Sequence, residues 1–140
     1  MSFLSAIKDY LKTNPNIASQ TPIWVDFMGE KASEITIIQL PGNKVLESYI
    51  NGDSRRVFPF AIQSMESTAD ELQRIQNSGF YEDLSDWLES QDELKVYPVL
   101  DAGKTAERIE TMGWGYLVQQ GNSQTGIYQI SCRLIYYQEA

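Results

Sequence analysis

The run Thr125-Gly126-Ile127-Tyr128-Gln129-Ile130-Ser131-Cys132-Arg133-Leu134-Ile135-Tyr136-Tyr137-Gln138 decides the fold. Tyr128, Ile130, Cys132, Leu134 and Tyr136 are apolar or aromatic, and the polar Gln129, Ser131 and Arg133 stand between them. A period of two marks a strand with one face in a core and the other toward solvent or a partner. Immediately upstream, Ala106 to Gln120 forms the opposite arm of a long hairpin, which turns at Gly121-Asn122-Ser123-Gln124.

Earlier in the chain the same logic yields shorter strands. Arg55 to Met65 places Phe58, Phe60 and Ile62 on one side, so that side is buried, and Pro59 removes one ladder donor, which favours an edge or a bulge. Glu34 to Leu40 and Val45 to Ile50 read as strands joined at Pro41-Gly42-Asn43-Lys44, a type II turn signal. Asn51-Gly52 signals a two-residue hairpin, and Pro22 to Met28 is a candidate edge segment. At the start, Phe3, Leu4, Ile7, Tyr10 and Leu11 form a helical stripe over Ser2 to Thr13, with Ser2 as N-cap.

The charge is as uneven as the pattern. Between Glu66 and Glu93 stand nine acids and one base, Arg74; this net −8 is also the formal charge of all 140 residues. The stretch carries Leu72, Ile75, Phe80, Leu84, Trp87 and Leu88 at helical spacing. It reads as a helix pair broken at Gly79, capped by Ser67 or Thr68, with Glu71 completing a capping box after Thr68. Its acidic face, with Glu82, Asp83, Asp86 and Glu89, repels nucleic acid and seeks a basic surface. Arg55 and Arg56 are candidate bases for the acidic helix of a neighbouring copy, and Gln129 and Arg133 are candidate contacts on the outward face of the last strand.

Composition narrows the chemistry. The chain has no histidine, which removes the commonest general base and zinc ligand, and its single cysteine, Cys132, allows no internal disulfide. Cys132 lies on the apolar side of its strand and reads as a core residue. Gly103-Lys104-Thr105 ends like a phosphate loop, but Pro98 stands where that loop requires its first glycine. Gly113-Trp114-Gly115 begins like a dinucleotide motif, but Val118 takes the third glycine position, and a bulge beside a large aromatic is the simpler reading. The acids of 82–89 lack the loop and turn glycine of a calcium site. No catalytic residue, cofactor or metal is expected. No apolar run approaches the roughly 20 residues of a membrane helix, and Met1 to Thr13 lacks the apolar centre of a signal peptide. Folding in a cytoplasm is the expectation.

Together these readings give a single α+β domain over 1–140: an antiparallel sheet of about four to five strands with helices packed mainly on one face. Three local words then suggest a family. They are Phe58-Pro59-Phe60-Ala61-Ile62-Gln63, the helical Gly79-Phe80-Tyr81-Glu82-Asp83-Leu84 through Trp87-Leu88-Glu89, and Thr125-Gly126-Ile127-Tyr128-Gln129-Ile130 through Leu134-Ile135-Tyr136-Tyr137. With them the chain resembles, over most of its length, the tail terminator (minor capsid or tail-completion) proteins of long-tailed bacteriophages and prophages. The resemblance implies a non-enzymatic virion protein made in the bacterial cytoplasm. It implies a hexameric ring of identical copies at the head-proximal end of the tail tube. That ring stops tube polymerisation, docks a head–tail connector protein and lets genome DNA pass without specific binding. The alternative, from charge alone, is an acidic module that mimics DNA and occupies a basic site on another protein.

Overall fold

Burying one side of an alternating strand demands a partner of equal length and opposite direction. A computed structural model, which describes residues 2–15, 17, 23–25, 34–42, 44–68, 70–120 and 124–140, supplies it. The elements in chain order are α1 (Phe3–Leu11), β1 (Ile23–Val25), β2 (Ile35–Gln39), β3 (Val45–Ser48), β4 (Ser54–Ser67), α2 (Glu71–Leu94), β5 (Lys104–Thr111), β6 (Tyr116–Gln120) and β7 (Thr125–Gln138). β4 and β7 pair antiparallel over their full lengths, from Ser54↔Gln138 to Ser67↔Thr125, without a register shift. β5 and β6 divide the other edge of β7 between them, while β2 and β3 divide the outer edge of β4. β1 runs parallel to β2 outside it.

The result is α+β as expected, but with a seven-stranded, mostly antiparallel sheet in place of four or five strands. The added strands have local causes. The long arm before β7 splits into β5 and β6 at 112–115, where Gly115 lies so close to Tyr81 that an added Cβ would sit 2.5 Å from the Tyr81 Cβ. β1 falls within the expected edge segment; Pro22, 26–28 and the turn residues 121–123 lie outside the described residues. Bulges fall between Ala106 and Arg108 and between Leu117 and Gln119, not at Trp114.

Two turns differ from expectation. Gly42 has no positive φ, and Asn43 lies outside the described residues, so the type II turn does not form as read. Instead of folding back, the chain passes from β2 to β3 along the same edge of β4. Pro59 faces that junction: its carbonyl accepts from the Leu40 N–H at 3.0 Å. In an antiparallel ladder a residue's nitrogen and carbonyl point to the same side. The missing donor therefore falls in the gap between two short strands, a local edge within a central strand. At the next turn Tyr49 donates to the Asp53 carbonyl and Gly52 to the Tyr49 carbonyl. With Gly52 at φ +93° this is a three-residue connection, one longer than Asn51-Gly52 suggested.

The helix-facing side of the sheet carries Phe60, Ile62, Ile130, Cys132 and Leu134, all fully buried. α1 covers the β1/β2 side with Leu4, Ile7 and Leu11, and Ser2 caps it by accepting from the Ser5 N–H, as the sequence indicates. Phe3 stacks on Phe58 with ring centroids 4.8 Å apart. α2 covers the β5 side with Tyr81, Leu84 and Leu88.

α2 overturns three expectations. It is one continuous helix through Gly79, because the buried row Asn77, Tyr81, Leu84, Leu88 runs straight through that position. Packing outweighs the roughly 1 kcal/mol that glycine costs in a helix. Its N-cap is Asp70, whose carboxylate accepts from the Gln73 N–H at 2.8 Å. Thr68 still belongs to the end of the sheet, where its N–H bonds the Gln124 carbonyl. Leu72 and Ile75 point to solvent, 65% and 61% exposed, and the polar Asn77 and Ser85 are buried in their place. Asn77 donates to the Ser67 carbonyl, which satisfies it. The buried Tyr81 hydroxyl lies 2.6 Å from Ser64 Oγ.

Three substitutions test this packing by chemical denaturation. Ile130→Ala removes a fully buried side chain and is expected to cost about 2–5 kcal/mol, whereas Ile75→Ala should stay within about 0.5 kcal/mol. Gly115→Ala forces a methyl against Tyr81 and is expected to cost about 1–3 kcal/mol.

Candidate functional site

A strand exposes alternate residues on opposite faces, and this separates Arg55 from Arg56. Arg55 lies on the sheet face away from the helices, where its Nε donates to Glu107 at 2.8 Å and a guanidinium nitrogen lies 3.6 Å from Glu47. The bond to Glu107 raises the Arg55 pKa further above its already high value. Arg56 pairs with Tyr136 on the helix side and donates to Ser54 Oγ at 2.9 Å. The two arginines thus form no common basic patch, and the charge of Arg55 is engaged within the chain.

Gln129 and Arg133 share the open face with Arg55, as the alternation indicates. Gln129 accepts from the Gln63 amide at 2.6 Å. Arg133 pairs with Glu110, which also holds Arg108 at 3.0 Å. At the end of this face Tyr137 donates to Asp53 at 2.5 Å, and the Ala140 N–H donates to the other carboxylate oxygen at 2.9 Å. The Tyr137 hydrogen bond, chiefly, holds the Asp53 carboxyl below the ordinary aspartate range. Open-face charge is therefore largely neutralised where it sits.

α2 is different. Glu82, Asp83, Asp86 and Glu89 are all exposed, and no ion pair among the described residues engages them. Asp92 turns inward instead: its carboxylate accepts from the Tyr97 hydroxyl at 2.9 Å and the Ile109 N–H at 3.1 Å, tying the end of α2 to β5. Among the described residues no group of three His, Cys, Asp or Glu is placed to hold a metal ion. Cys132 is fully buried, and burial pushes its thiol well up, away from thiolate chemistry.

A groove of about 270 Å³ lies between α1 and the segment after α2, lined by Ala6, Tyr10 and Thr13 on one side and Val96, Pro98 and Val99 on the other, with Asp9 at its rim. The Tyr10 hydroxyl is committed to the Val96 carbonyl at 3.0 Å. The groove offers apolar contact and one carboxylate, but no nucleophile beside a base. No described helix is long and apolar enough to cross a membrane.

The surface that residue-by-residue reading passed over is β6 and the segment leading into it. Met112, Trp114, Tyr116, Leu117 and Val118 are exposed at 55%, 67%, 55%, 40% and 38%. Among the described residues β6 pairs only with β7, leaving its outer edge open. The signal was available: no Asp, Glu, Lys or Arg occurs between Glu110 and Arg133. Monomeric proteins guard such an edge with charge, proline or a covering element, and a contiguous exposed apolar patch marks an interaction surface.

Comparison with family models finds no match to this chain, and comparison with curated proteins finds none.

The Asp53 clamp carries a pH signature. Because its pKa is lowered on folding, the clamp contributes in full above the unfolded value of about 3.9 and fades as pH falls through the lowered value. Asp53→Asn is expected to lower Tm at pH 7, and thermal melts should show the difference from wild type shrinking below pH about 4. Neutralising Glu82, Asp83, Asp86 and Glu89 together to their amides should leave Tm unchanged or slightly raised, since these acids repel one another within the helix.

Proposed function

We propose that this chain is a structural virion protein of the tail terminator type. Copies of it form a ring at the head-proximal end of a phage tail tube. The ring stops tube growth and offers a docking surface to the head-side connector. The observation that carries this reading is the uncharged, apolar edge strand β6, which among the described residues pairs only with β7. Such an edge is covered when the protein assembles. A ring requires head-to-tail contacts that close by rotation, so each copy presents two different surfaces. A hexamer is the stoichiometry that the family resemblance implies. The open face with Gln129 and Arg133 is a candidate for contact with the tail-tube protein. Exposed acids on α2 that no neighbour engages, such as Asp83 and Asp86, suit a passage through which DNA moves without sticking.

The same acids motivate the DNA-mimic alternative. That reading calls for an exposed helix face acidic throughout, and Leu72 and Ile75 interrupt it with two exposed apolar side chains in the first turns of α2. Assembly is therefore favoured.

The test is a tube-growth assay with purified tail-tube protein from the same phage or prophage, followed by electron microscopy. Added protein is expected to bind one end of the tubes and halt elongation at substoichiometric amounts. Tubes that elongate unchanged, with no bound end density, would overturn the proposal.

A further inference from the structure

Two open edges of the sheet lie at the same height. Ser64 pairs with Tyr128 on one side and with Ile35 on the other; Tyr128 pairs onward with Leu117 of β6, and Ile35 with Ile23 of β1. One line of residues thus crosses the sheet from β1 to β6. Among the described residues, β1 pairs only with β2 and β6 only with β7. Both edges carry exposed apolar groups, Trp24 and Val25 on β1 and Tyr116 and Val118 on β6.

Their directions also match. β6 runs antiparallel to β7 and so in the sense of β4, whereas β2, antiparallel to β4, and β1, parallel to β2, run the opposite way. If a second copy is set beside the first in the same orientation, its β1 meets β6 antiparallel. Contacts at equal height carry the next copy sideways instead of along the strand axis, which is the condition for a closed ring over an open helix.

Charge on the helix layer follows the same polarity. Ser85 reaches Thr111 and Tyr81 lies on Gly115, so the Ser85 flank of α2 faces the β5/β6 side. Glu82 and Glu89, three residues before and four after Ser85, share that flank and are exposed. α1 lies over β1 and β2. Its Ala6, Asp9, Tyr10 and Thr13 line the groove toward the end of α2, which leaves Lys8 and Lys12, one turn apart, on the opposite flank. No ion pair among the described residues engages either lysine.

We infer that neighbouring copies join edge to edge. β6 of one copy abuts β1 of the next, and Glu82 and Glu89 on α2 face Lys8 on the neighbour's α1 and Lys12 at its C-cap. The occupant of the bare edge is a second copy of this chain. Charge complementarity on the helix layer fixes its orientation, and apolar strand residues provide the contact beneath. This inference rests on the assembly reading above and names its contact.

Native mass spectrometry and light scattering over a protein concentration series test it with a charge-reversal cycle. None of the four side chains is buried, so circular dichroism should report native folds. Lys8→Glu with Lys12→Glu, and separately Glu82→Lys with Glu89→Lys, are each expected to weaken association about tenfold or more. The combined fourfold variant should recover most of the loss. Wild-type association should weaken with added salt. If the wild type associates but neither double variant weakens it, or the combination fails to recover, the contact assigned here is wrong while the assembly reading stands. A wild type that remains monomeric throughout would overturn the contact, and the tube-growth assay would then decide the assembly reading.

Discussion

The pairing of β4 with β7 is the constraint on which the rest of the molecule depends. Fourteen consecutive residue pairs join the two strands without a shift in register. Because side chains alternate, that one register assigns Phe60, Ile62, Ile130, Cys132 and Leu134 to the helix layer and Gln63, Gln129 and Arg133 to the opposite face. A slip of one residue would move every core group into water. Fully burying a side chain such as Ile130 contributes about 1.5–3 kcal/mol, so the summed cost of a slip is far larger than any turn preference. Every other strand except β1 bonds directly to this ribbon.

The ribbon also explains why the two sides of the molecule differ. Four short strands must share its two outer edges, and none covers a whole edge. α1 sits over one side and α2 over the other, because each helix buries its apolar row against its own part of the sheet. The two helices differ in charge: α2 is strongly acidic, whereas α1 with its C-cap carries Lys8 and Lys12 against a single acid, Asp9. Charged groups on the open face are absorbed locally, Arg55 by Glu107 and Arg133 by Glu110. Among the described residues, what remains uncompensated is an open apolar edge at β6 and an electrostatic polarity across the sheet. Both motivate the proposal that neighbouring copies complete the molecule.

Much of the fold was legible because it rests on local periodicity. The alternation in 125–138, the apolar side of 58–62 and the stripe of α1 each report a face on their own. Less legible were features decided by contacts distant in sequence. Leu72 and Ile75 have core spacing, but α2 begins beyond the reach of the core, so they face solvent while Asn77 and Ser85 go inside with hydrogen bonds. Thr68-Glu71 fits a capping box, yet the sheet claims Thr68 and Asp70 caps the helix. Arg55 and Arg56 look like a patch in one dimension, but strand alternation sends them to opposite faces. Glu82, Asp83, Asp86 and Glu89 were read correctly as exposed, since nothing beyond helix periodicity was needed. The β6 edge was missed because its signal is an absence of charge spread over two strands, which no short motif records.

Hydrogen exchange measured against protein concentration bears most directly on this account. Amides in the β4–β7 ladder should be protected at every concentration. The outward-facing amides of 116–120 should exchange freely in dilute solution and slow only as copies associate. Strong protection of those amides in the dilute monomer, or free exchange in the associated form, would contradict the claim that this edge is the surface completed by assembly.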